Sequence, residues 1–559
     1  MKIIVIGGVA AGASAAVKAR RTDENAEIIM YERGNYVSWA NCGLPYYIGE
    51  DIKAREDLVL VTDERFDRRF NIKVKLFHEV TSIDRQNKKV TVVNLASGES
   101  FQDSYDKLIL APGGRPVRPP IPGIGLDGIF TVTTIPEADK IKAYLGTAKV
   151  NHAVVIGAGF IGLESVEALI NHQVQVSIVE GMDHVLPLFD SEMLTDVHKY
   201  LHRSGVSLYL AEKMVRFGGT GRVQEIELAS GKKLAADMVI LSVGVAPETS
   251  LARDTGLEIG ATGGILVDEK MLTSDPDIYA AGDAVETLHW VTGKKARIAL
   301  AGPANKQGRV AGANAAGGNM TYSGSAGSSI VKIGEMAAGK TGLSQQEAER
   351  ENISHFVSYN HPANHAGYYP GGKGMTIKVV VEKPTGRLLG AQVVGGAGVD
   401  KRVDVFAAAI YAGLKVEDLE NFDLSYAPPF ASAKDPAILA GFVAANIQRG
   451  EVFAVTPREL EGLLQTGEEV QVVDVRTKEE FERGHIPGAV SVPLDDLRQR
   501  WQELDSGKLT VVNCGVGYRS YLAYKILQAK GFMELRNLSG GITSWNQWVG
   551  RGPQASYHQ

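Results

Sequence analysis

Only two of the 559 residues are cysteine, Cys42 and Cys514. A disulfide framework is therefore excluded, as is a zinc site needing several thiolates, so no metal is expected and two free thiols fit a reducing cytoplasm. No run of about eighteen apolar residues occurs, which excludes a transmembrane helix. A surplus of positive charge is missing too. With 59 Lys and Arg against 65 Asp and Glu, the chain carries −6 at pH 7 and offers no global electrostatic reason to bind nucleic acid or an anionic membrane. Small molecules are the expected partners. Proline is sparse at 21 residues, whereas glycine is abundant at 63 and lacks the collagen period, so many tight turns are implied. The rest, 44% hydrophobic and 22% charged, is ordinary globular composition. At about 150 residues per domain, three or four folded units are expected.

Lys2 followed by IIVIGGVAAGASAAV has the superficial look of a secretory signal. The continuation argues otherwise. Lys2 to Ile6 is a β-branched run, Gly7-Gly8-Val9-Ala10-Ala11-Gly12 turns into a small-residue helix, and IIMYE ends in Glu32. Glu32 lies 20 residues after Gly12, the spacing at which a carboxylate ending the second strand accepts hydrogen bonds from a ribose. Gly7 and Gly12 let the backbone approach a pyrophosphate, whose charge rests on N–H groups at the helix start. Val9 stands where the strict motif has glycine, so this segment alone also fits a sheet turn without a ligand. The pattern then returns in strict form. After VVI come Gly157, Gly159 and Gly162, a helix, and VQVSIVE ending at Glu180, 18 residues beyond Gly162. Two dinucleotide folds imply two cofactors. An acid at Glu180 with no arginine directly after it points to NADH over NADPH, which stays possible if a nearby loop supplies a cation.

Two later stretches bear on the first fold: YDKLILAPGGRP (Tyr105 to Pro116) reads as strand and glycine turn, and SDPDIYAAGDA (Ser274 to Ala284) as a strand ending in Gly282-Asp283. These four motifs, in this order, resemble the two-dinucleotide flavoprotein disulfide reductases over roughly residues 1 to 445. The resemblance implies FAD in the first fold, with Asp283 at the ribityl chain, and an NAD domain inserted into the FAD domain.

SWANCGLPYYIGE (Ser38 to Glu50) carries the redox question. Dithiol reductases of this superfamily have a second cysteine five residues after the first, where this chain has Tyr47. A lone thiol must cycle through a mixed disulfide, a persulfide or a sulfenic acid. Cys42 is expected to open the helix continuing into LPYYIG, where the helix N-terminus lowers thiol pKa; a buried, inert cysteine is the competing reading. SWANCGLPY is similar to the coenzyme A disulfide reductase signature. That similarity implies Cys42 as the redox nucleophile, Ser38 and Asn41 lining its site, Ser14 and Arg21 holding the coenzyme A nucleotide, and Lys434 reaching its phosphates. An arginine on a first helix is also commonly a solvated surface residue. Tyr368 in NHAGYYPGG and Tyr426 in LSYAPPFASAKDP resemble the paired tyrosines those enzymes bring to a neighbouring subunit's active site. A homodimer is implied, against ordinary core or interface aromatics. The same stretch, Leu424 to Pro436, lacks the histidine with which the glutathione-reductase branch protonates its leaving thiolate. Hydrosulfide or a low-pKa persulfide departs as an anion and tolerates that absence.

Near residue 453 the pattern changes: Thr456-Pro457-Arg458-Glu459 is a capping box with proline at the first helical position. VVDVRTKEEFERGHIPGAVSVP, VVNCGVGYRS and LSGGITSW follow, and resemble the rhodanese sulfurtransferase domain. VVNC is a strand, Gly515 and Gly517 permit a curled loop, and a helix starts about Arg519-Ser520. Backbone N–H groups of such a loop can stabilise a thiolate or persulfide at Cys514. Asp474 and Arg476 read as a structural ion pair. A binding-only rhodanese is the alternative, against which the retained thiol in an open loop argues.

The expected fold class is α/β: two Rossmann-like dinucleotide-binding domains (FAD, residues 1–120 and 250–325; NAD, 121–249), an α+β dimerisation domain (326–446) and a C-terminal α/β rhodanese domain (453–559). The expected activity is an FAD-dependent NADH persulfide or polysulfide reductase acting on coenzyme A persulfide. Electrons pass from NADH through FAD to Cys42, and Cys514 relays sulfur by way of a coenzyme A thiol. The alternatives are a coenzyme A disulfide reductase, an NADH oxidase or peroxidase using Cys42 sulfenic acid, and a sulfur-carrying or redox-sensing protein with little turnover.

Overall fold

The computed structural model describes residues 1–466 and 469–551, so the last eight residues of the expected rhodanese span lie outside the described residues. The chain divides into two compact units, Met1–Val179 with Glu212–Gly327, and Glu180–Ala211 with Ser328–Gln559.

In the first unit the strand Lys2–Ile6 lies in the middle of a parallel five-stranded sheet, paired with Glu27–Glu32 on one side and Lys107–Leu110 on the other. Lys73–Leu76 and Ile278–Ala280 form the two edges. Strand order therefore reverses at Lys2–Ile6, and the crevice beyond its carboxyl end is where such sheets bind ligands. Segments far apart in sequence complete this sheet. The helix Ala10–Thr22 follows, and its small residues find their use here: it crosses the helix Ala301–Ala315 so closely that a Cβ on Gly308 would stand 2.1 Å from the Ala11 carbonyl oxygen and one on Gly312 2.0 Å from that of Ala15. The apolar N-terminal run is thus the core of a folded domain. A second parallel sheet repeats the plan, with His152–Ile156 between Gln175–Val179 and Met238–Leu241 and followed by the helix Phe160–Asn171.

The second unit contains a five-stranded antiparallel sheet in the order Ser329–Ile333, Met336–Gly342, Leu388–Gly395, Met375–Glu382, His355–Asn360, packed by the helices Val399–Tyr411 and Pro436–Gln448. Lys378 of this sheet is fully buried between two carboxylates, 2.8 Å from Asp190 and 2.5 Å from Glu192, with the Tyr359 hydroxyl donating to Glu192 at 2.7 Å. Burial works against the charge on Asp190, but Lys378 and the backbone N–H groups of Gln345 and Gln346 hold its carboxyl well below the usual carboxylate range. Such a buried cluster persists only with every partner present.

The rhodanese-like part of this unit is a parallel sheet in the order Ala454–Val455, Leu535–Leu538, Leu509–Asn513, Val470–Asp474, Val490–Ser491. The capping box forms as the sequence requires, Thr456 and Glu459 each satisfying the other's backbone N–H ahead of the helix Pro457–Gln465. Leu509–Asn513 is central and buried on both faces, and Cys514 is the first residue past its end.

Candidate active site

The two glycine turns are built alike. Gly7 (φ +92°) and Gly157 (φ +93°) occupy left-handed backbone, and a Cβ on either would stand 2.2 Å from a carbonyl oxygen of the neighbouring strand's continuation, Ala111 or Ser242. Gly12 and Gly162 seat each helix on its turn, a Cβ there falling 1.8 and 2.1 Å from the carbonyl oxygens of Gly7 and Gly157. Gly159 faces open space, leaving the backbone free to meet a pyrophosphate. At Val9 the first motif departs from strict form without losing the turn, since Val9 has φ −93° and needs no glycine. Glu32 accepts the N–H of Gly8 at 2.8 Å and that of Gly34 at 2.7 Å, which fixes its carboxylate beside the glycine turn. Glu180, directly after the strand Gln175–Val179, accepts the N–H of Met182 at 2.9 Å. Asp283 follows Gly282 (φ +91°), whose N–H is held by Gln307; burial raises its pKa and Arg297 opposes that rise. These cradles fit two dinucleotides.

Cys42 is exposed and unpaired. It sits in a single 3₁₀ turn, Asn41–Gly43, ahead of the five-residue helix Leu44–Ile48. Against the expected lowering at a helix start, partial burial of the sulfur pushes the pKa up although the residue is exposed, and Glu164 and Asp283 push in the same direction, against the smaller effect of the backbone N–H. A single short turn does not offset burial together with two carboxylates. Asn41 Oδ1 takes the Cys42 N–H at 3.0 Å and lies 3.7 Å from Sγ. Ser38 adopts φ +49° and hangs its N–H on the Gly8 carbonyl at 2.8 Å, so the Cys42 loop and the first glycine turn are tied together. Behind Cys42 the short helix docks on Phe160–Asn171: Asn171 Nδ2 donates to the Gly49 carbonyl at 3.0 Å and His172 Nε2 contacts that of Ile48 at 2.7 Å.

Ser14 Oγ donates to Asn305 Oδ1 at 2.6 Å, and Arg21, two turns further on, is exposed with Nε on its own helix at Val17. In the second unit Tyr368 and Tyr426 share a hydrogen bond of 2.8 Å although 58 positions apart, and both are exposed, Tyr368 at 77%. That bond raises the Tyr426 pKa. Lys434 is exposed beside Asp435, which is buried, caps the helix Pro436–Gln448 and binds Arg402 at 2.8 Å.

Cys514 is expected in an open loop: the loop is exposed at Val516 and Tyr518, while Cys514 itself is buried, at 1% exposed. The N–H of Gly517 (φ +99°) points at Sγ from 3.2 Å and Ser520 Oγ from 3.4 Å. The helix begins at Tyr518, one residue earlier than expected. Arg519 reaches Glu480 through two bonds of 2.7 Å, which hold the Glu480 carboxyl at about 2. Gly515 closes the loop by accepting from Thr543, its carbonyl 2.9 Å from the hydroxyl. The Asp474–Arg476 pair is a brace, as expected: Arg476 Nη2 lies 2.7 Å from Asp474 and 2.6 Å from the Gly484 carbonyl.

Three features escaped the sequence reading. Glu164, on the second glycine helix, accepts from Tyr46 at 3.3 Å, and burial lifts its carboxyl to about 7. Its position two residues after Gly162 was the available signal. His361 bridges Thr376 (3.1 Å) and Ser544 (2.7 Å), so the segment framing the Cys514 loop is pinned to the antiparallel sheet, and burial takes its pKa down to about 4. The buried Lys378 cluster has no sequence signal, because its partners come from three separate segments. Among the described residues no group of His, Cys, Asp and Glu could hold a metal ion, and no helix is long and apolar enough to cross a membrane.

Two glycine-cradled dinucleotide sites, a lone thiol beside one of them and a second thiol in a curled backbone loop define a flavoprotein-type oxidoreductase with a sulfurtransferase appendage. Residues 1–308 match the pyridine nucleotide-disulphide oxidoreductase family, 328–438 its dimerisation domain and 456–547 the rhodanese-like domain. The chain belongs to that oxidoreductase family, whose members use FAD and NAD(P)H, and it is an enzyme with a rhodanese domain. Among solved structures it is similar to reduced Bacillus anthracis CoADR-RHD (TM-score 0.96, 42% identity, 98% of both chains) and to a NAD-dependent persulfide reductase from A. fulgidus (TM-score 0.91, 38% identity, 98% of this chain and 100% of that one). It is also 38% identical, over 78% of its length and 98% of the relative's, to the CoA-dependent NAD(P)H sulfur oxidoreductase of Pyrococcus furiosus.

Proposed function

We propose that this enzyme is a persulfide and polysulfide reductase that consumes NADH, takes coenzyme A persulfide at Cys42 and uses Cys514 to load sulfur onto coenzyme A. The observation that carries the reading is the pairing in one chain of two lone thiols with opposite settings, Cys42 exposed beside the dinucleotide turns and Cys514 enclosed by N–H and hydroxyl donors. Bound FAD supplies two-electron transfer between nicotinamide and sulfur. Gly7, Gly12, Glu32 and Asp283 would hold it, and Gly157, Gly159, Gly162 and Glu180 the nicotinamide cofactor.

At Cys514 the thiolate takes the outer sulfur of a sulfane donor, the donor leaving as an anion; Gly517 N–H and Ser520 Oγ hold the charge of the resulting persulfide. Coenzyme A thiolate then attacks that outer sulfur, and Cys514 leaves as thiolate. At Cys42 the thiolate attacks the inner sulfur of coenzyme A persulfide, forming a mixed disulfide and expelling hydrosulfide. Two electrons and a proton return Cys42 and coenzyme A to thiol level. The sum is NADH plus coenzyme A persulfide giving NAD⁺, coenzyme A and HS⁻. Ser38 and Asn41 orient the Cys42 loop, and Ser14, Arg21 and Lys434 serve the coenzyme A nucleotide and phosphates. The 2.8 Å Tyr368–Tyr426 pair presents two hydroxyls on an exposed face, which suits donation to a thiolate across a homodimer. Two free thiols suit a reducing compartment such as cytoplasm.

Serine at Cys42 is expected to abolish NADH oxidation on every sulfur substrate. Serine at Cys514 is expected to abolish sulfur transfer from donors while small persulfides are still reduced. Equal losses on both substrates would contradict the relay.

A further inference from the structure

The reading above needs coenzyme A to collect sulfur at Cys514, yet every residue so far assigned to coenzyme A belongs to the reductase part. A second place for its nucleotide lies on the rhodanese surface. A groove of about 580 Å³ runs between the helices Leu494–Arg500 and Tyr518–Ala529. That volume is in the range of small-molecule sites. Its floor is aliphatic, from Leu494, Leu522 and Ile526, and its rim carries Arg498, Lys525 and Lys530 against the one carboxylate of Asp495. Two of the cations are held in place. Lys525 donates Nζ to the Glu451 carbonyl and lies 5.8 Å from the Tyr521 ring centroid, and Lys530 Nζ sits 5.5 Å from that of Trp501.

The helix that forms one wall of the groove starts from the sulfur's own loop. Gly517, whose N–H points at Cys514 Sγ, caps the same helix, and Tyr518, Leu522 and Ile526 follow at helical spacing along one face. Tyr518 is 68% and Leu522 38% exposed, so this stripe is an open apolar track. With a rise of 1.5 Å per residue, Tyr518 and Lys530 are about 18 Å apart along the helix. A small thiol cannot touch both ends. A ligand with phosphates at one end and a thiol on a long flexible arm can.

We infer that the groove holds the phosphorylated adenosine diphosphate end of coenzyme A, Arg498 and Lys530 meeting its phosphates and the aliphatic floor its base, while the pantetheine arm runs over Leu522 and Tyr518 to Cys514. The proposal rests on coenzyme A being the sulfur acceptor. The bond changes are those already given: the coenzyme A thiolate takes the outer sulfur of Cys514 persulfide, and Cys514 departs as thiolate.

The full chain is charged with thiosulfate, and transfer is followed to coenzyme A and to pantetheine, which has the arm without the nucleotide. In the double variant Arg498→Glu, Lys530→Glu the KM for coenzyme A is expected to rise about ten-fold or more, equivalent to losing one good phosphate contact, with kcat and the pantetheine reaction unchanged. Arg498→Lys with Lys530→Arg should restore the KM. In the unmutated chain adenosine 3′,5′-bisphosphate should compete with coenzyme A but not with pantetheine. An unchanged coenzyme A KM, or an equal rise for pantetheine, overturns the groove; so does loss of transfer only from an acidic protein donor. Failure of the parent reading shows elsewhere, as NADH oxidation by coenzyme A persulfide that survives Cys42→Ser.

Discussion

The two sulfurs of this enzyme are handled by opposite means. Cys42 is exposed as a residue, yet partial burial of its sulfur disfavours the thiolate, and the carboxylates Glu164 and Asp283 add to that. Cys514 is enclosed, and what faces its sulfur is the Gly517 N–H and the Ser520 hydroxyl, while Arg519 nearby in sequence is paired to Glu480. The first setting suits a thiol that must be made anionic in use, beside a bound cofactor and substrate. The second suits a sulfur that carries negative charge while it waits for an acceptor. The lesson is that a thiol's task is written in what surrounds its sulfur, desolvation and charge together, rather than in the exposure of the residue that carries it.

The largest test of the contrast exchanges the two roles by deletion, with Cys42→Ser losing essentially all NADH turnover and Cys514→Ser losing only donor-dependent turnover, both read by NADH absorbance. The next concerns the frame around Cys514. His361 is held near pKa 4 in the folded chain, against 6.5 in an unfolded one. Because the unfolded chain binds the proton first, stability is full above pH 6.5 and falls as pH drops toward 4, by up to about 3 kcal/mol. Urea denaturation followed between pH 7 and 4 should show this loss, and His361→Asn should flatten the His361 share of it; an unchanged slope in that variant would remove the histidine from the account.

A smaller effect is expected at Gly517. A Cβ there has room, its nearest neighbour lying 3.4 Å away, but φ is +99°. Gly517→Ala should therefore cost roughly 1–2 kcal/mol through backbone conformation and slow sulfur transfer, leaving reduction of small persulfides intact. Smallest is the electrostatic touch on Cys42. Glu164 titrates near 7 and opposes the thiolate, so Glu164→Gln should shift the pH profile of Cys42 alkylation toward lower pH. A profile that does not move would mean that burial and Asp283, without Glu164, raise this thiol.

Much of the site was legible because sterics leave little choice. Gly7 and Gly157 must be glycine where a Cβ would stand 2.2 Å from a carbonyl oxygen, and the Thr456–Glu459 box announces its helix by reciprocal bonds. The ionisation of Cys42 was not legible. Glu164 and Asp283 are 122 and 241 positions away in sequence, and only folding brings their charge to bear. Nor could the sequence bring Tyr368 to Tyr426 or show that the segment from Glu180 to Ala211 packs with the C-terminal half.

By itself, then, the sequence determined the α/β plan, the two glycine turns, the solitary state of both cysteines and the sulfurtransferase loop, since each follows from local backbone limits or from residues that are missing. Tertiary structure alone decided how readily Cys42 ionises, what braces the loop of each thiol and which cations share a groove. Those properties depend on charge and packing across distances that chain order does not encode.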